Sequence, residues 1–132
     1  MYDHKLKACD CYYAKAQAIT TSQEDGNDGS VFTGNTEGAL GVIIKAKTET
    51  TVIEDKVLTV VLQDSADDSS FATFKTLVAE TGAAGNTVYA AGEQIGDMFI
   101  IPPAANPYTK ITLGADNATA GTLDIYLVYL PR

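Results

Sequence analysis

The sequence predicts an all-β fold: a two-sheet antiparallel β-sandwich of jelly-roll type with about eight strands. Three observations carry that expectation. The stretch Val57–Ala79 reads as two strands joined by an acidic turn. Short β-branched or aromatic runs recur along the rest of the chain, bounded by Gly, Pro, Asn and Asp. No convincing amphipathic helix interrupts them. A chain of 132 residues fits one domain and can bury roughly two-thirds of its unfolded surface without disulfides or metal.

Taken in order, residues 1–11 read as an N-terminal arm or first edge element, and residues 12–132 as a single sandwich domain. Tyr12–Thr20 alternates well enough for a strand. Its Ala, Lys and Gln also suit a short helix, but the Ile19-Thr20-Thr21 that follows is β-branched and favours the strand. Thr21–Gly38 is the longest polar segment and reads as a connection holding one short strand around Val31-Phe32-Thr33. Ala39–Thr48 sets Val42, Ile44 and Ala46 on one face against Ile43, Lys45 and Lys47 on the other, so one face is expected buried and the other partly wet. Glu49–Lys56 is a polar crossing.

In the central hairpin, Leu58, Val60 and Leu62 share one face at period two. Asp64–Ser70 contains only Asp, Ser and Ala, which favour turns, and Phe71–Val78 returns as a strand. Two strands alone are marginal in water, so this hairpin must bury a face. Thr87–Ala90 is a brief strand. Met98–Ile101 is an apolar run ended by Pro102-Pro103, which cannot donate to a ladder. Tyr108–Leu113 places Thr109, Ile111 and Leu113 inward, and Leu123–Leu130 closes the chain. Strand spacing alone fits a jelly roll and an immunoglobulin-like order equally; the few long crossings suit the jelly roll.

Composition narrows function. Nine Lys and Arg against 17 Asp and Glu leave a formal net charge of −8. That argues against nucleic acid, whose affinity comes mainly from cations neutralising phosphates, and against anionic lipid. No run of apolar residues is long enough to span a membrane as a helix. The start, MYDHKLKACDCYYAK, has no apolar core of a secretory signal. The expectation is therefore synthesis in a cytosol and use there, or assembly there into something larger.

No constellation for catalysis stands out, and no enzyme activity is expected. His4, the one histidine, lies in the arm beside Asp3 and near Cys9, a poor place to preorganise a nucleophile. Cys9 and Cys11 are too close in sequence for an unstrained disulfide and too few for a closed zinc site. Glu24–Gly29 has the composition of a calcium loop but not its spacing. Asn117-Ala118-Thr119 matches a glycosylation acceptor by chance. The carboxylates of Glu54, Asp55, Asp64, Asp67 and Asp68 fall in turns, where water solvates them. No metal and no cofactor is implied.

The seven tyrosines fit two readings: half-buried rim residues of a sandwich, or an interface, where tyrosine is favoured because it is amphipathic and cheap to order. Strands apolar on both faces favour contact with a second surface. Val57, Thr59 and Val61 oppose Leu58, Val60 and Leu62. Tyr126, Val128 and Leu130 oppose Leu123, Ile125 and Leu127. A two-layer sandwich covers one face of each sheet, so the other must meet water, a loop or another subunit. The expected interface comprises Tyr12, Tyr13, Tyr126, Val128 and Leu130, in a protein that self-associates or docks.

The ordered series Ala16–Thr20, Leu58–Phe71, Gly96–Pro103, Tyr108–Leu113 and Thr119–Leu123 resembles the Bordetella phage cement protein family, a group of head decoration proteins. The likeness runs over residues 12–130. It implies a jelly roll on the outer surface of a tailed-phage head, made in the host cytoplasm. It also implies a homo-oligomer, dimer or trimer, that clamps neighbouring major capsid protein subunits against the pressure of packaged DNA. The family offers no catalytic residues to carry over. The chain departs from it at Cys9–Tyr13 and in Thr21–Gly38. A non-catalytic carbohydrate- or surface-binding β-sandwich module is the competing reading, against which the absence of tryptophan speaks.

Overall fold

A computed structural model describes residues 6–19, 24–27, 29–32, 40–102, 105–115 and 121–129; the side chains of residues 6–11, 32 and 129 lie outside the description. The described residues form eleven strands and no helix. They are β1 (Leu6–Ala18), β2 (Glu24–Asp25), β3 (Val31–Phe32), β4 (Leu40–Ala46), β5 (Thr50–Val52), β6 (Val57–Ser65), β7 (Ala72–Thr81), β8 (Thr87–Tyr89), β9 (Phe99–Ile100), β10 (Tyr108–Ala115) and β11 (Thr122–Tyr129). The long strands are the ones the apolar alternation marks. The excess over eight lies in two- and three-residue pairings, of which β2 and β5 leave no periodic signal in the sequence.

One sheet has the order β1-β11-β4-β9 and the other β2-β10-β6-β7, with β3 also on β10; β5 and β8 make a separate two-stranded ribbon. All ladders are antiparallel. Setting the ribbon aside, β6 and β7 are consecutive strands that pair directly, and the other main connections cross from one sheet to the other. The molecule is a β-sandwich.

The residues that face inward are those with apolar period-two alternation. Leu58, Val60 and Leu62 of β6 meet Ile111 and Leu113 of β10, and across the gap lie Val42 and Ile44 of β4 with Leu123, Ile125 and Leu127 of β11. Thr109 is buried on the same face, as expected from its position two residues before Ile111. Burying a side chain of this size contributes about 1.5–3 kcal/mol relative to exposing it, which makes this double layer the main stabilising feature. At one flank Phe74 of β7 packs edge-on against Phe99 of β9, ring centroids 6.5 Å apart. At the other flank Tyr13 of β1 crosses the core to Thr109, hydroxyl to hydroxyl at 2.6 Å. The Thr109 hydroxyl donates in turn to the Val31 carbonyl at 3.4 Å, so the Tyr13 hydroxyl is the donor in the first bond. Three strands are tied by that relay.

The first strand starts earlier than the sequence suggests. β1 begins at Leu6, so residues 6–11 are part of the sandwich rather than an arm ahead of it. Leu6 and Lys7 stand opposite Tyr129 and Val128, and the ladder resumes with Tyr12 opposite Tyr126 after a register shift. The intervening Ala8-Cys9-Asp10-Cys11 has no alternation that would announce a strand, because the irregularity absorbs it. A second irregularity lies between Ala14 and Gln17. There Ala16 adopts a φ of 49° and its N–H donates to the Asp124 carboxylate at 2.7 Å. Among its described residues, the segment Thr21–Gly38 contributes two short strands, β2 and β3, in place of one. The Glu49–Lys56 crossing contains β5.

Candidate functional site

Alternation along β11 and β4 decides what the outer face of the β1-β11-β4-β9 sheet presents. With Leu123, Ile125 and Leu127 in the core, Tyr126 and Val128 point the other way; with Leu40, Val42 and Ile44 in the core, Gly41 and Ile43 do the same. Tyr126 stands opposite Ile43 on one side and Tyr12 on the other, and Val128 stands opposite Gly41. The Tyr12 and Tyr126 rings lie 5.5 Å apart at a tilt of 52°, a favourable aromatic arrangement. The Lys15 ammonium sits 5.1 Å from the centre of the Tyr12 ring. The result is a band of tyrosine and aliphatic side chains across three strands.

At Gly41 the band is built on a close approach. A β-carbon there would meet Met98 Sδ at 2.6 Å and Val128 Cγ2 at 3.5 Å. The glycine therefore makes the groove in which the Met98 side chain lies against the sheet. Ile100, opposite Gly41 on the edge strand β9, is 49% exposed, one of the most exposed large apolar side chains described. Ile43 and Val128 are buried although they stand outside the main core cluster.

Of the five expected interface residues, the structure gathers Tyr12, Tyr126 and Val128 on this one face. Tyr13 is corrected: its neighbour Tyr12 takes the outer side, so alternation turns Tyr13 inward, where it is fully buried and hydrogen-bonded to Thr109. Val128 is also corrected as an exposed contact, because it is 2% exposed and serves as flooring of the band. Leu130 lies outside the described residues, as do His4 and Asn117-Ala118-Thr119; the side chains of Cys9 and Cys11 do too. Sequence reading missed Gly41, Met98 and Ile100. The apolar run Met98–Ile101 is a signal for the last two, but only sheet order brings it beside β4.

The second sheet is polar outside. Val57, Thr59, Val61 and Gln63 are half-buried on the outer side of β6. Lys110 of β10 pairs with Asp25 at 3.2 Å and lies 4.7 Å from the centre of the Phe71 ring. Half-buried Val57, Thr59 and Val61 lie there beside the longer polar chains of Gln63 and Lys110.

The remaining polar groups serve the turns. In the turn that follows β6 the Asp67 carboxylate accepts from the Ser65 hydroxyl at 2.9 Å and from the Ser69 and Ser70 amides at 3.0 and 3.1 Å. These bonds favour the ionised form: the Ser70 amide first, then the Ser65 hydroxyl and the Ser69 amide hold the carboxyl below its ordinary range. Asp64 is corrected: it lies in β6 rather than in the turn, and it is buried, where its carboxylate accepts from the Asn106 backbone amide at 2.9 Å. The Tyr89 hydroxyl is pushed up, chiefly by burial, then by the charge of Glu80 and their hydrogen bond, and by Glu93.

Within the Glu24–Gly29 stretch, Asn27 acts as a structural stitch. The Lys15 amide donates to the Asn27 side-chain oxygen at 2.9 Å while the Asn27 side-chain nitrogen donates to the Lys15 carbonyl at 3.0 Å. One side-chain amide thus occupies the place of a neighbouring strand's peptide group. Gln17 adds bonds to the Asn27 amide and the Asp25 carbonyl. Asp25 is committed to Lys110. Among the described residues no three His, Cys, Asp or Glu side chains are grouped to hold a metal ion, and no helix is long and apolar enough to cross a membrane. No protein-family model matches the chain, and no curated protein matches it in sequence.

Proposed function

We propose that this protein is a structural decoration, or cement, protein of a tailed-bacteriophage head, a homo-oligomer that binds the outer surface of the shell and stabilises contacts between major capsid protein subunits. The observation that carries the proposal is the band Tyr12–Tyr126–Ile43–Val128–Gly41–Met98 on the outside of the first sheet, continuous with the exposed Ile100. Amphipathic aromatics over an aliphatic floor are the chemistry of a docking face. Among the described residues, the Asp64 and Asp67 carboxylates are engaged in holding local backbone. A negative charge of −8 keeps the protein off packaged DNA and suits a lattice with basic patches.

The sheet order supports the jelly-roll assignment within this reading. Apart from the β6–β7 hairpin and the short β2 and β3, successive strands of the two main sheets alternate between them, the pattern of two intertwined Greek keys. The resemblance of residues 12–130 to the Bordetella phage cement proteins points the same way. The test is co-sedimentation of the purified protein with expanded and unexpanded capsids of a phage that carries it. Saturable binding to expanded heads, lost on Tyr126→Asp, is the expected result. Absence of binding to either form, or a saturable hit on a glycan array in its place, overturns the reading.

A further inference from the structure

A sandwich of two open sheets has four edges, and each must be protected or used. Two are short here, and a third is covered in part. β9 is two residues long, as are β2 and β3 on the flank of β10. The edge of β1 is closed at Lys15 by the Asn27 side-chain amide. The fourth edge is β7, ten residues long, and among the described residues no strand pairs with its outer side.

Edge strands are commonly guarded by bulges and lysines, and β7 carries both. Its guards, however, have an unusual symmetry. Val78 stands opposite Val60 and Thr76 opposite Val61, so Leu77 is the extra residue of a bulge. Counting from Glu80 to Lys75, the residues opposite inward-facing β6 positions are Glu80, Val78 and Lys75, those opposite outward-facing positions are Ala79 and Thr76, and the bulged Leu77 packs against the core. The pattern reads in-out-in-in-out-in, the same in both directions. Two antiparallel copies related by a two-fold axis perpendicular to the sheet must match faces residue by residue. A regular six-residue strand centred between two residues cannot do that, but this bulged one can.

We propose that β7 is the self-association edge of this protein: two copies add antiparallel across it, with the axis passing between Leu77 and Val78. Leu77 then faces Val78 of the second copy, Thr76 faces Ala79, and Lys75 faces Glu80, twice over. A lone edge lysine repels its own copy. Lys75 with Glu80 at the symmetric position attracts it. The geometry rests on the homo-oligomer of the proposed function and supplies the surface that reading lacks. It does not use the Tyr12–Tyr126 band, the face proposed to meet the shell.

The test is charge exchange in the full chain, read by sedimentation equilibrium at low salt. Lys75→Glu and Glu80→Lys each replace two attractive cross-strand pairs by two repulsive ones. Each is expected to raise the dimer dissociation constant roughly ten-fold or more, and the double exchange is expected to restore it to within about three-fold. Hydrogen exchange of the amides from 75 to 80 should slow as the wild-type concentration rises through that constant, a readout that needs no variant. A chain monomeric up to about 1 mM, or a dimer indifferent to Lys75→Glu, overturns the proposal. An indifferent dimer that still binds heads leaves the decoration role standing. A sensitive dimer that does not bind heads leaves the edge standing and removes the role.

Discussion

The relay from Tyr13 through Thr109 to Val31 offers the sharpest measure of how the two sheets are locked. Both side chains are fully buried and their oxygens are 2.6 Å apart. Tyr13→Phe removes the donor and leaves the Thr109 hydroxyl bonded only onward to Val31. One net hydrogen bond is lost, about 1 kcal/mol, with the ring still filling its place. Thr109→Val keeps the volume but withdraws the acceptor from the buried Tyr13 hydroxyl and the donor from the Val31 carbonyl, at a cost of about 2–3 kcal/mol. Once Thr109 is valine, Tyr13→Phe has no Tyr13–Thr109 bond left to remove, so the double variant is expected to be about as stable as Thr109→Val alone. The coupling is then about 1 kcal/mol. Urea unfolding measures it as a shift in midpoint at constant slope. Costs that add to within about 0.3 kcal/mol would show that the two hydroxyls act independently, and the relay would be an incidental contact.

Other outcomes follow from the turns and bulges. Ala16 holds a φ of 49° on an exposed bulge, where a β-carbon is strained; Ala16→Gly should raise stability by about 0.5–1 kcal/mol, visible as a higher Tm. Gly82→Ala drives a β-carbon into the backbone of Val52 and Ile53, with the Val52 oxygen 2.7 Å away. Backbone cannot swing aside, so a loss of about 2–3 kcal/mol is expected in the same urea assay. The Asp67 carboxyl, held below its ordinary range by the Ser70 amide first, should contribute fully above the unfolded carboxylate value of about 3.9. It should lose that contribution as pH falls through its lower folded value. The stability gap between wild type and Asp67→Ala should therefore be constant near neutrality and close in acid; a gap that widens on acidification would contradict the hydrogen-bond pattern of the turn.

Strand character and inward-facing parity were legible in the sequence wherever a strand is long and half-buried. Leu58, Val60 and Leu62, or Thr109, Ile111 and Leu113, follow from period two alone, because successive side chains of a strand leave on opposite faces. The acidic turn was legible for a similar reason: Asp and Ser hydrogen-bond their own backbone, as Asp67 does with Ser69 and Ser70. Tertiary structure decided what local alternation cannot contain. Which of the adjacent Tyr12 and Tyr13 turns inward depends on a partner 96 residues away from Tyr13. Bulges reset the phase at Ala16 and Leu77, and a side-chain amide from Asn27 stands in for a strand. Alternation tells each residue that it has two sides; which strand lies beside it, and so which side is core, is set by contacts between segments far apart in the chain.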